Sequence, residues 1–255
     1  MRVFLLSICL LISHSSFAQL DLVNEDERQL LEQKLSQCLL ELKFAEDKRE
    51  GYDSFTALVN LGDLYRSNRN YSKAIDYYQQ SKAYANPAEE PEKFYLVQSG
   101  LARVLFANAQ YEDVIETLEE IDWEGLKGLL YYDKYDSDEL LARALVQLGE
   151  LSDARRIFEG MHEGALINIQ DTVLAIEALV NASEVSNDLG QYKESLSFLS
   201  KTDALVLSCG TDPNVDIFLN RAKAYNKLGR SKEAIRELLD AESLGLAYNA
   251  EIQKQ

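Results

Sequence analysis

A repeat with a period near 40 residues constrains this chain more than any other feature. Tyr71-Ser72-Lys73-Ala74, Tyr111-Glu112-Asp113-Val114, Leu151-Ser152-Asp153-Ala154, Tyr192-Lys193-Glu194-Ser195 and Ser231-Lys232-Glu233-Ala234 recur at steps of 40, 40, 41 and 39 residues. A unit of this size cannot bury an apolar face alone, so copies must stack on one another. Each unit reads as two helices. The first carries apolar or small residues at helical spacing, as in Leu58, Leu61, Gly62 and Tyr65, on one face of a 3.6-residue period. A turn follows, marked by Gly149, Gly190 and Gly229 in three copies. The second helix carries Ala74, Ile75 and Tyr78, or Ala234, Ile235 and Leu238. Gly62, Ala102, Ala142, Ser183 and Ala222 stand at matching places on the first helices. A larger side chain there would force the paired helices apart, because protein interiors are close-packed.

Asn60-Leu61-Gly62, Tyr65, Tyr71, Ala74 and Tyr78 together resemble a tetratricopeptide repeat. The last unit is similar through Asn220, Ala222, Tyr225, Gly229, Ala234 and Ala241. The resemblance spans about residues 54–245. Units two and four depart from the family pattern, with Val114 and Leu118, and with Ala182 and Ser186. The spacing also exceeds the family's common 34 residues. The extra residues fall between units, at Asn86-Pro87 and Pro91, at residues 122–134, and from Gly210 to Pro213. The resemblance implies an all-α, right-handed superhelical solenoid of antiparallel helix pairs. Residues 54–255 form the array of five repeats and 19–53 an N-terminal capping segment. Within the latter, Asn24 and Glu27 have the spacing of a capping box. Leu31, Leu35, Cys38, Leu39 and Leu42 form one apolar stripe. We expect that stripe to cover the first repeat; a coiled-coil seam would need three or four heptads.

Residues 1–18 read as a cleaved secretory signal. Arg2 precedes the apolar run from Val3 to Ile12, and Ser16-Phe17-Ala18 offers the small residues of a cleavage site. The run is too short to span a bilayer, which takes about 20 residues. Ile8 before Cys9 is too bulky for a lipidation motif. The expectation is export, to the periplasm or the medium if the source is bacterial. Asn181-Ala182-Ser183 would place a sugar inside a packed helix, which favours a bacterial source. The net charge of −17 becomes −18 when Arg2 leaves with the signal. Such acidity argues against nucleic acid, whose binding needs a basic face. Cys38 and Cys209 remain, far apart in sequence, and are expected as buried thiols rather than a disulfide.

The residues support no enzyme, cofactor or metal site. His162 is the single histidine left after the signal and is read as a surface or capping group near a helix end. The acidic groups Glu119, Glu120 and Asp122, and Asp136, Asp138 and Glu139, lack the alternating ligand spacing of a calcium loop. They are read as solvated helix faces. No phosphate-cradling glycine loop or nucleophile elbow occurs.

What remains is recognition. In tetratricopeptide proteins the first helix of each pair lines the inner groove, which implies a bound protein or peptide segment. The residues after the small positions, Asp63, Arg103, Arg143, Glu184 and Lys223, are expected to point into it. Arg66 and Lys227 lie one turn further along. Bases clustered inside an acidic chain would focus a positive field on an acidic partner. The alternative is that these bases pair with acids on their own chain, as Asp63 with Arg103. Some family members clamp a terminal carboxylate, but Val59 and Asp63 occupy those positions here. Trp123, Tyr131, Tyr132 and Tyr135 fall outside the repeat pattern. They are either a contact surface, since aromatics dominate binding hot spots, or packing between units two and three. Two functions fit: an exported interaction scaffold, or an extracytoplasmic peptide sensor acting through a separate signalling partner.

Overall fold

The computed structural model describes residues 25–48, 53–126 and 131–252. The expected signal at 1–18 and Asn24 of the capping box lie outside them. The described residues are helical throughout, with no strand among them. They divide into two compact units, residues 1–127 and 128–255.

The first unit holds α1 (Glu25–Glu46), α2 (Ser54–Ser67), α3 (Tyr71–Lys82), α4 (Pro91–Ala107) and α5 (Tyr111–Glu119). Sequence neighbours pack on one another from α1 through α5. Asp53 caps α2 by accepting the Phe55 and Thr56 amides. The helix α1 lies against α2 as expected of a cap. Leu35 and Ala45 are buried, and Leu31, Cys38, Leu39 and Leu42 are half-buried.

The second unit holds α6 (Tyr131–Leu148), α7 (Leu151–Gly164), a π-helical turn (Ala165–Ile169), α8 (Thr172–Asp188), α9 (Tyr192–Cys209), α10 (Val215–Lys227) and α11 (Ser231–Ile252). Its core joins Tyr135, Ala142, Phe158, Met161, Ala175, Ala178, Leu179, Val185 and Phe198. A second cluster joins Ile176, Val180, Leu199 and Ile217.

The small positions do what close packing demands. Ala102, Ala142 and Ser183 are fully buried, and Gly62 and Ala222 are buried too. In the first unit the reason is visible atom by atom. The ring of Tyr78, 1% exposed, lies between α2 and α4. A Cβ on Gly62 would come within 3.0 Å of that ring, and one on Gly100 within 2.6 Å. Neither site tolerates even a methyl group without moving a buried aromatic.

The turn inside each repeat is one device used five times. Arg69, Ala109, Gly149, Gly190 and Gly229 all have φ between +56° and +83°. The next residue donates its amide back into the first helix each time: Asn70 to Tyr65 (2.9 Å), Gln110 to Leu105 (3.0 Å), Glu150 to Leu145 (2.9 Å), Gln191 to Ser186 (2.8 Å) and Arg230 to Tyr225 (2.8 Å). This is a Schellman closure, which satisfies orphan carbonyls at the helix end. Its left-handed residue is favourable for glycine and costly for others.

Two sequence expectations are corrected. Cys38 and Cys209 are free thiols, but Cys38 is half-buried and Cys209 exposed, so neither is a core residue. Cys209 ends α9, where only a buried face would have hidden it. His162 is not a cap, because the helix runs on past it into the π turn.

The conserved turn geometry generates a reciprocal prediction. Ala109→Gly relieves a left-handed alanine and is expected to stabilise by about 0.5–1 kcal/mol. Gly149→Ala introduces the same strain and should destabilise by a similar amount. Both residues are exposed, so no packing term intervenes. Thermal melts that fail to move in opposite directions would refute the assignment of strain to this turn.

Candidate functional site

A cavity of about 360 Å³ opens in the second unit between α6, α7 and the π turn. Ile157, Met161 and Ile169 supply apolar lining, and Tyr131 and Tyr135 supply aromatic lining. Lys134, Asp138 and Asn168 add polar groups. Lys134 donates to Asp138 at 2.7 Å, which places their charges together. Tyr131 and Tyr132 are 59% and 48% exposed, whereas Tyr135 is buried. The Tyr135 hydroxyl donates to the Leu174 carbonyl at 2.8 Å and fixes α6 against α8. Tyr132 reaches Asp171, the N-cap of α8, at 3.4 Å.

Two glycines leave one wall of the cavity bare. Gly160 and Gly164 lie one turn apart on α7, and both line it. A Cβ on Gly160 would meet nothing within 4 Å, and one on Gly164 only the Asn168 amide at 3.9 Å. A glycine inside a helix costs roughly 1 kcal/mol relative to alanine. At Gly62 and Gly100 that cost is offset by the Tyr78 ring; at Gly160 no group among the described residues approaches closely enough to require glycine.

The π turn completes the site. Isolated π turns are rare and cluster at functional positions. This one ends at Gln170, whose φ of +57° is left-handed. Its geometry carries Asn168 and Ile169 to the cavity while Ile167 stays 73% exposed. Beside it, His162 Nδ1 sits 3.4 Å from the Ala175 carbonyl, an acceptor, so that nitrogen carries the proton. Burial holds the imidazole pKa below its ordinary value, and nearby Lys201 acts the same way. His162 therefore ties α7 to α8 as a neutral donor.

The structure distributes the sequence-predicted bases over both units and gives most of them acids of their own. Arg103, Arg143, Glu184 and Lys223 are exposed beside buried neighbours, while Asp63 is half-buried. Asp63 accepts from Arg66 at 2.9 Å and from the Tyr78 hydroxyl at 2.7 Å. Arg143 pairs with Glu139 at 2.7 Å, and Lys223 with Asp188 at 2.6 Å. Lys227 is exposed and makes no ion pair among the described residues. Burial raises the pKa of Glu177, and Glu139 and Asp171 push it the same way, against the pull of Arg143.

The four aromatics are divided between the two units. Trp123 belongs to the first unit, where its ring meets Tyr95 edge-on at 5.5 Å. The three tyrosines belong to the second, and two of them line the cavity. Gly160, Gly164 and the π turn escaped sequence reading altogether. Among the described residues, no group of three or more His, Cys, Asp or Glu is placed to hold a metal. No helix there is long and apolar enough to cross a membrane.

Residues 57–91 match the sequence model of the tetratricopeptide repeat. Solved structures share the fold at low identity. A putative kinesin light chain of Podosopora anserina with nearly identical TPR-like repeats is 21% identical, with a TM-score of 0.63 over 79% of this chain and 97% of its own. BtubC (BKLC) from P. vanneervenii is 16% identical, with a TM-score of 0.66 over 86% and 92%. YrrB, a TPR protein with an unusual peptide-binding site, is 19% identical, with a TM-score of 0.53 over 76% and 90%. No curated protein sequence matches the chain. Residues 57–91 are thus a tetratricopeptide repeat, and the chain has the fold of tetratricopeptide-repeat proteins.

Proposed function

We propose that this chain is an interaction scaffold that seats an apolar side chain of a bound peptide or protein segment in the cavity between α6, α7 and the π turn. One observation carries the reading: the cavity wall at Gly160 is kept bare although nothing among the described residues needs the space. Concave, mostly apolar sites with a few polar groups are where ligands bind. Exposed Tyr131 adds an aromatic able to anchor a partner. YrrB supports the reading only as a protein of this fold that has a peptide-binding site.

Gly160→Leu separates binding from stability. The leucine fills the cavity, so peptides selected on the wild-type protein from a displayed random library should bind at least tenfold more weakly. The same substitution replaces an interior helical glycine and should raise stability by up to about 1 kcal/mol. Unchanged peptide affinity would rule the cavity out as the binding site.

An acidic partner is the second reading, and the exposure of Arg103, Arg143, Lys223 and Lys227 favours it. Under it, Arg103→Glu and Arg143→Glu each weaken capture of an acidic peptide by their own unit, and added salt weakens capture by the wild type. Capture that survives both treatments confines recognition to the cavity.

We also propose that the scaffold works outside the cytosol, on the strength of Arg2, the apolar run and Ser16-Phe17-Ala18. N-terminal sequencing of the protein from cells expressing the full chain should begin at Gln19. Retention of Met1 would overturn export by this route.

A further inference from the structure

The fourth residue after the small position of each second helix is large and buried in the first four repeats. It is Tyr78, Leu118, Phe158 and Leu199 in the first four repeats, exposed by 1%, 4%, 3% and 0%. Tyr78 lies against Gly100 of the following first helix, and Leu199 clusters with Ile217 of the following one. In the fifth repeat the same position is Leu238, and it is 50% exposed. Ile235 and Leu239, on the same face of α11, are 58% exposed each.

This face also departs from the pattern of the preceding repeats. The residue after the large one is Gln79, Glu119, Glu159 and Ser200 in the preceding repeats, polar every time. In the last repeat it is Leu239. A repeat face that stays in water needs polar residues. Here the position that was already polar has become apolar, so the face is built to be covered.

The charges along α11 say by what. Ile235, Leu238, Leu239 and Glu242 fall on one helical face at spacings of three and four residues. Lys232 precedes the apolar residues by one turn and Glu242 follows them. Neither has an ion-pair partner among the described residues, and both are exposed. The arrangement is self-complementary when reversed. If two copies of α11 cross antiparallel with their two-fold axis between Leu238 and Leu239, Ile235 of one copy lies opposite Glu242 of the other. Lys232 of the first copy then comes within reach of that carboxylate. The two-fold repeats the contact on the other side, as an isologous interface requires.

We propose that α11 is a homodimer interface, with a second copy packed antiparallel across Ile235, Leu238 and Leu239 and fastened at each end by Lys232 against Glu242. The proposal is independent of the cavity described above, and Gly160→Leu should leave it untouched.

Sedimentation equilibrium on the full chain tests it. The wild type should show a concentration-dependent monomer–dimer equilibrium. Leu238→Glu with Leu239→Glu should be monomeric at every concentration, with its far-UV circular dichroism unchanged because both side chains are half-exposed. Lys232→Glu alone and Glu242→Lys alone should each weaken the dimer by about tenfold, the size expected of a charge pair turned repulsive at an interface. The two together in one chain should restore it, since every contact joins Lys232 of one copy to Glu242 of the other. A wild type that stays monomeric at millimolar concentration overturns the proposal, and so does a dimer that survives the double glutamate. A dimer that both single charge variants weaken and the combined variant fails to restore would refute the antiparallel register.

Discussion

The close approach of a large side chain on one helix to a bare or nearly bare backbone on the next sets the terms for the rest of the structure. Tyr78 shows it best. Its ring fills the space that Gly62 and Gly100 leave open, and burial raises the pKa of its phenol, as does its hydrogen bond to Asp63. The hydroxyl therefore stays protonated and donates to Asp63, which Arg66 also holds. One aromatic thus joins two apolar contacts to a polar anchor. The apolar part of this arrangement recurs in the second unit with different residues. Phe158 packs among Ala175, Ala178 and Leu179, and Ala142 stands on the facing helix. Buried alanine, serine or glycine on first helices is what lets the pairs stack at all.

That rule was legible in the sequence because it repeats. Five small residues at nearly constant spacing announce five close contacts, and each of them is buried. The glycine turns were legible at Gly149, Gly190 and Gly229. Arg69 and Ala109 adopt the same left-handed conformation without the residue that signals it. Their turns had to be inferred from the period alone. The array overrides local preference there: each of these two turns closes the same back-bond to its first helix as the glycine turns do.

The cavity was not legible, and the reason is physical. A glycine in a sequence reports a need for space or for a left-handed turn, without saying which. Gly62, Gly149 and Gly160 look alike as letters. The structure gives them three meanings: contact with a ring, a positive φ, and an open wall. A π turn has no sequence signature of its own, and Ala165-Leu166-Ile167-Asn168-Ile169 reads as more helix. Arg103, Arg143, Lys223 and Lys227 are exposed, but the acids that pair with Arg143 and Lys223 were not read from the sequence. Glu139 lies four residues before Arg143 and could have been paired with it from spacing. Asp188 meets Lys223 only because α8 and α10 come side by side.

Gly160 and Leu239 are informative for the same reason from opposite sides. Each departs from what the chain needs for its own stability: a glycine where alanine would fit, and a leucine where four repeats keep a polar residue. A residue that lowers the stability of the isolated chain, or exposes apolar area without covering it, requires compensation from elsewhere. For Gly160 the compensation has the size of a side chain, because the opening is bounded by α6, α7 and the π turn. For Leu239 it has the size of a helix, because the exposed residues run at helical spacing along α11 rather than around a hollow. The first geometry suits a segment that inserts one anchor, and the second suits a surface that lies flat. A repeat fold can carry both, since its core is made by contacts between neighbours and leaves the outer faces free to vary.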